Sequence, residues 1–219
     1  MKTVFFGIIA VCFITMTTNC GKELSVETGR DSTVKIPDTT YQPLEAGSYW
    51  IYQDSATGIT DTLRATDSTL IINGKSYTVF HVTGGGQTAD EYFTINSHNY
   101  FSYGNFGNGL VNIELLYLND TASPGYTWQS AAGTVNGFPA QVQGQILDTG
   151  LSVTVAGKTY GNVILSQISL AYNVGSGFQT PYAIYDYYVA KGVGIVKIEE
   201  DFPSVPFQAT SNLISYSIQ

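Results

Sequence analysis

The chain has 219 residues, with 17 Asp and Glu against 9 Lys and Arg, for a net charge of -8. That balance leaves no basic face of the kind phosphate backbones require, so nucleic acid is not an expected partner, and direct electrostatic attraction to anionic lipid is not expected either. Charged residues make up only 12% while Gly and Tyr number 23 and 16, a composition that suits an extracytoplasmic β-protein with uncharged polar outer faces, and about 200 residues suffice for one domain with a real core.

Lys2 is followed by a mostly apolar run from Val4 to Met16, then by Thr17, Thr18 and Asn19 before Cys20. A charged start, a short apolar stretch and a small polar end are the three parts of a secretion signal. The run is shorter than the roughly 18 residues a spanning helix needs, so residues 1–19 are expected to be cleaved. Cys20 at the end of such a run resembles the lipobox of bacterial lipoproteins, although Thr17 and Asn19 stand where leucine and a small residue are usual. This relaxed form resembles that of one phylum of Gram-negative bacteria. The resemblance implies that Cys20 becomes the lipid-bearing first residue, with fatty chains such as palmitate holding the protein at the outer membrane. Two or more chains anchor firmly where one does not. Cys12 leaves with the signal, so neither disulfide nor thiol chemistry is expected. Lys22 and Glu23 resemble a surface-export signal of the same phylum, which leaves both the periplasmic and the cell-surface face open.

Residues 21–40 lack aromatics and carry Gly21, Gly29 and Pro37. With Cys20 they read as a flexible tether whose root-mean-square reach is about 25 Å, and the fold is expected to begin near Tyr41. Asp31-Ser32, Asp38-Thr39, Asp54-Ser55, Asp61-Thr62, Asp67-Ser68 and Asp120-Thr121 resemble acceptors of an O-glycosylation system of that phylum, and are also ordinary turn dipeptides.

From Tyr41 to Gln219 the pattern alternates with period two and no amphipathic helix emerges. Stretches 69–72, 78–82, 151–155 and 163–170 are rich in β-branched residues, and Ile214, Tyr216 and Ile218 alternate with serine in a last strand. Asn73-Gly74 and Ala156-Gly157 are placed as hairpin turns; Gly84 to Gly86, Asn105 to Gly109, Gly175 to Gly177 and Gly192-Val193-Gly194 mark further turns. The expected fold is all-β and antiparallel: a strongly curved half-barrel, a barrel or a two-layer sandwich of ten or more strands.

Three short patterns recur in the same order. Gly47-Ser48-Tyr49-Trp50 has a counterpart in Gly125-Tyr126-Thr127-Trp128, Ile72 to Tyr77 matches Val155 to Tyr160, and Tyr92-Phe93 echoes Tyr187-Tyr188. They read as an internal duplication of about five strands per half, with repeats 41–120 and 121–219. Tyr41 to Tyr52 and Tyr187 to Lys197 resemble the opening and closing segments of a broad group of uncharacterised bacterial lipoproteins. That resemblance implies an exported β-rich lipoprotein and supplies no catalytic residues.

Chemistry is sparse. His81 and His98 lack companions at metal-ligand spacing, His81 reading as half-buried between Phe80 and Val82 and His98 as a solvated turn residue. The carboxylate runs Asp90-Glu91 and Glu199-Glu200-Asp201 place neighbours on opposite strand faces, and no Gly-x-Ser-x-Gly elbow occurs. Neither metal nor cofactor is expected, and the chain reads first as a non-enzymatic binding or accessory module, with a structural envelope subunit or a hydrolase of unrecognised site as the alternatives. The aromatics are the remaining signal: Tyr100, Tyr103 and Phe106 lead into a glycine-rich loop, and Tyr185 and Tyr187 share a strand. A ring with a polar tip suits a glycan, an apolar ligand, an envelope protein partner, or the margin of a β-core.

Overall fold

The structure, a computed structural model, describes residues 39–106, 109–178, 181–204 and 207–219. The cleavage signal, Cys20, nearly all of the tether with the Asp31 and Asp38 motifs, and the side chain of Phe106 lie outside the described residues. Twelve strands follow in order: β1 (Tyr49–Asp54), β2 (Thr60–Ile72), β3 (Lys75–Gly84), β4 (Gln87–Asn96), β5 (Asn99–Phe106), β6 (Val111–Asn119), β7 (Thr127–Val135), β8 (Phe138–Val155), β9 (Lys158–Tyr172), β10 (Ala183–Ala190), β11 (Gly194–Phe202) and β12 (Phe207–Ser217). Each pairs antiparallel with its chain neighbours, and β12 returns to pair with β1 from Tyr49↔Ser217 to Asp54↔Ser211. The sheet is therefore a closed up-and-down barrel, which excludes the half-barrel and the sandwich and leaves six strands, not five, in each half. Closure removes both edges at once.

Alternation puts one parity of each strand inside. On β11, Val196, Ile198 and Phe202 are buried inward while Lys197, Glu199 and Asp201 face out. Trp50, Phe80, Phe93, Tyr100, Tyr117, Ile168 and Tyr187 interlock in the interior, with rings in edge or tilted contact at centroid separations such as 4.8 Å for Phe80 and Phe93 and 5.4 Å for Tyr117 and Tyr187.

The chain enters at the end that carries the β2–β3, β4–β5, β8–β9 and β10–β11 turns, here the proximal end. Residues 40–48 close it. Gly192 N donates to Thr40 O at 2.7 Å, Tyr41 N to the Tyr100 hydroxyl, and the Tyr117 hydroxyl to Gln42 Oε1. Trp50 Nε1 donates to Val193 O at 2.6 Å, so the first strand is tied to the β10–β11 turn, and Gln219 N donates to Ser48 Oγ. Gln42 and Ser48 are buried by this seal.

Two of the three recurring patterns occupy equivalent places six strands apart; the third does not, since Tyr92 faces out and Phe93 in on β4 whereas Tyr187 faces in and Tyr188 out on β10. Gly47 and Gly125 have φ of 89° and 88°. Gly47 N donates to Ala65 O and Ala65 N to Ser48 O; likewise Gly125 N donates to Ile146 O and Ile146 N to Tyr126 O. Asn73-Gly74 and Ala156-Gly157 share positive φ at both positions, 51° and 76° against 47° and 81°, the type I′ geometry that matches strand twist.

One junction is thin. β6 and β7 pair only through Val111↔Val135, Asn112↔Thr134 and Ile113↔Gly133 before they splay. Trp128 fills the opening: its Nε1 donates to Leu116 O at 3.1 Å, and its ring lies across Gly144, where a Cβ would come within 2.1 Å of it. Only glycine leaves room there. The carbonyl of Tyr117 on β6 is satisfied by the buried Ser166 hydroxyl from β9.

Candidate functional site: a small acidic cavity and an outer groove

Toward the distal end of the interior lies a cavity of about 80 Å³. Apolar walls come from Leu63, Val82, Phe93, Ile113, Leu115, Ile195 and Ile198, and polar groups from Tyr52, Asp61, Glu91, Ser102, Tyr187 and Ser211. Such a space holds a few waters at about 30 Å³ each and falls well below the roughly 300 Å³ of an ordinary small-molecule site.

Its electrostatics are one-sided. No Lys, Arg or His is among the lining residues. Burial, and then the neighbouring Asp61, push Glu91 up to about 7. Burial, and then Asp54, push Glu200 up to about 8; Asp61 is raised by burial and then by Asp54. Tyr187, 2% exposed, is held well above the ordinary tyrosine range by burial first and by Glu200 and Glu91 next. The Tyr52 hydroxyl donates to Ile195 O at 2.8 Å.

The four candidate aromatics whose side chains are described do not form one surface. Tyr187 lines the cavity with an inward ring. Tyr103 borders it, but its ring packs on Tyr77 and Tyr92 and its hydroxyl donates to Asn112 Oδ1. Tyr100, 2% exposed, donates its hydroxyl to Asp120 Oδ2 at 2.8 Å in the proximal seal. Tyr185 is fully buried, and its hydroxyl has no partner among the described residues. The structure thus brings only Tyr103 and Tyr187 to the cavity and sends Tyr100 and Tyr185 into packing.

His81 is a correction: Phe80 and Val82 point inward, so its side chain faces out, 61% exposed and paired with Asp90. His98 is the solvated turn residue expected, 63% exposed, with Nδ1 2.8 Å from Asp120 Oδ1. Among the described residues no group of three or more His, Cys, Asp and Glu could hold a metal ion.

Sequence reading missed the inward carboxyls, although parity marks them. Glu91 shares its face with Phe93, and Glu200 with Ile198 and Phe202. It also missed a second concavity, on the outer face of β7 to β9. There Thr127, Gln129, Gln143, Gln145, Gln167 and Ser169 line a solvent-open groove of about 470 Å³ floored near Trp128 and Gly144. Each glutamine alternates with an inward residue such as Val142, Ile146 or Ile168, all fully buried. The groove contains no charged side chain; Gln167 Nε2 donates to Asp186 Oδ1 at its margin.

No family model matches the chain, and no curated protein matches it. Two solved structures share its architecture. One is a protein designated a lipoprotein from Parabacteroides distasonis, 11% identical, with a TM-score of 0.55 over 82% of this chain and 99% of its own. The other is a protein designated as exported, with a YmcC-like fold, from Bacteroides fragilis, 12% identical, with a TM-score of 0.50 over 80% and 97%. At such identities the likeness is one of fold, and a fold does not fix a function.

Proposed function

We propose that the chain is a non-enzymatic cell-envelope protein, lipid-anchored through Cys20 at the outer membrane, that binds a neutral glycan on the outer face of its barrel. The observation that carries the reading is the contrast between the two concavities: about 80 Å³ inside and about 470 Å³ in the outer groove. Amide side chains donate and accept at once, which fits the adjacent hydroxyls of a sugar. Uncharged groups on a rigid ladder recognise them without a large desolvation cost. The two fold neighbours, designated a lipoprotein and an exported protein, support the envelope setting, as does the lipobox-like segment ending at Cys20.

Titration of a panel of neutral oligosaccharides, followed by NMR, tests the groove. Saturable shifts of the Gln143 and Gln145 side-chain amides, abolished in a Gln143→Ala/Gln145→Ala double variant, are expected. Silence across the panel, or equal binding by the variant, refutes the glycan assignment. Metabolic fatty-acid labelling of wild type and Cys20→Ala tests the anchor separately, and label retained by the variant overturns it.

A further inference from the structure

We infer that the tip of the β2–β3 hairpin is a membrane-contact site, at which Leu70 and Ile71 enter the headgroup region of the phospholipid bilayer that holds the Cys20 anchor. Leu70 is 45% and Ile71 67% exposed, the latter the highest value among the exposed large hydrophobic side chains of the described residues. Apolar groups held this far from the core mark a surface that meets another apolar phase. The hairpin is built to hold them there. β1 stops pairing with β2 at Tyr49↔Arg64, and β4 pairs with β3 only from Thr78↔Phe93 onward. From Thr69 to Tyr77 the two strands therefore pair with each other alone and run on past both neighbours. Side chains stiffen this projection: the Tyr77 hydroxyl donates to Glu114 Oε1, Lys75 Nζ to Glu114 Oε2 at 2.9 Å, and Thr94 Oγ1 to Ser76 O at 2.7 Å. A tip already fixed in place gives up little conformational freedom on contact.

Two observations make a bilayer the occupant. The chain reaches the barrel at this end, where Thr40 O accepts from Gly192 N, and a chain as long as residues 21–38 reaches about 25 Å root mean square. The lipid surface thus lies within a tether's length of the proximal turns. Charge points the same way. Every Lys and Arg of residues 41–219 stands on the proximal side: Arg64 beside the seal, Lys75, Lys158 and Lys191 in the turns, and Lys197 in the proximal half of β11. Glu45, Asp67, Asp120 and Asp148 balance them on that side, so the contact is apolar rather than electrostatic, in keeping with the net charge of -8. The distal strand ends carry Asp54, Asp61, Asp90, Glu91 and Asp201 with no Lys or Arg, and lipid phosphates repel such an end. Phe138 and Phe178 are also exposed, but they stand at that distal end. Near the membrane the β6–β7 loop exposes Tyr126, whose ring with a polar tip suits the headgroup layer. The direction of the tether rests on the anchor reading of Cys20; the glycan groove plays no part.

The test uses the mature chain, residues 20–219, in which Cys20 is the only cysteine, coupled through that thiol to maleimide-bearing phosphatidylethanolamine in phosphatidylcholine vesicles. Coupling supplies the anchor chemically, so failed fatty-acid labelling in cells and failed insertion on vesicles are separate results. Above the background of Trp50 and Trp128, Ile71→Trp should add blue-shifted emission that brominated phosphatidylcholine quenches, while Phe138→Trp should emit as it does in solution. Leu70→Asp added to the Ile71→Trp chain should abolish both the shift and the quenching. Hydrogen exchange needs no substitution at the tip: in the unaltered chain, amides 69–76 should exchange more slowly on coupled vesicles than in solution, with the distal turns unchanged. Ile71→Trp emission indifferent to brominated lipid, quenching that survives Leu70→Asp, quenching of Phe138→Trp instead, or unchanged exchange at 69–76 overturns the assignment.

Discussion

Replacing Glu200 by glutamine should flatten the pH dependence of stability. The Glu200 side chain lies on the interior face of β11, 5% exposed. Its carboxyl titrates at about 8 in the fold against an ordinary 4.5. The folded state therefore keeps this proton over a pH range in which the unfolded chain has lost it. Stability from this group is full below about 4.5 and drains away as pH rises through about 8. At roughly 1.4 kcal/mol per tenfold, the gap corresponds to a loss on the order of 4 to 5 kcal/mol once both states are ionised. Glutamine carries no charge to desolvate. In acid, where the wild-type carboxyl is protonated, the two proteins should differ little, whereas Glu200→Gln should be the more stable one above about pH 8. Urea unfolding followed by tryptophan fluorescence, from about pH 5 to about pH 9, checks this. Two stability curves that run parallel across that range would refute the reasoning, because a constant offset means that the carboxyl never resisted ionisation.

Gly144→Ala should destabilise the barrel by about 1–3 kcal/mol or more, since the new methyl meets the Trp128 ring at 2.1 Å; thermal unfolding gives the size, and a shifted Trp128 emission locates it. Trp50→Phe removes the donor to Val193 O and should cost about 1–3 kcal/mol for the orphaned carbonyl, read by denaturant midpoint at unchanged slope. Lys75→Ala breaks the 2.9 Å pair with Glu114 at the tip of the β2–β3 hairpin. Because an ion pair near the surface is worth about 0.2–1 kcal/mol, its Tm should fall only slightly, and a loss of several kcal/mol would show that the pair does more than fasten the hairpin over Tyr77.

Turn chemistry was the most legible part of the fold. Asn73-Gly74, Ala156-Gly157 and Gly192-Val193-Gly194 lie between the strands they were expected to join, because a turn's backbone conformation is dictated by the residues inside it. The choice of a barrel was not legible, since closure depends on the summed twist and stagger of all twelve strands and on no single residue. The thin β6–β7 junction was hidden for the same reason: Trp128 and Gly144 are 16 positions apart in sequence and acquire meaning only when register sets them opposite. The site residues divide along the same line. Tyr100 and Tyr185 carry the ring and hydroxyl of a binding residue, yet packing absorbed them; Glu91 and the groove glutamines are marked by strand parity, a signal that becomes decisive only once one knows which face is the inside.

Eleven of the twelve ladders join strands adjacent in the chain, and only the β1–β12 ladder needs both ends of the polypeptide. A chain exported from its N-terminus would thus lay down hairpin after hairpin and remain an open, curling ribbon until residues 207–217 arrived. Stopping translation before Phe207 would delete one strand but uncover two, baring the backbone of β1 and β11 together. Such a ribbon has two complementary edges and a ready partner in any second copy. The final strand therefore works as the clasp that keeps this protein from polymerising with itself.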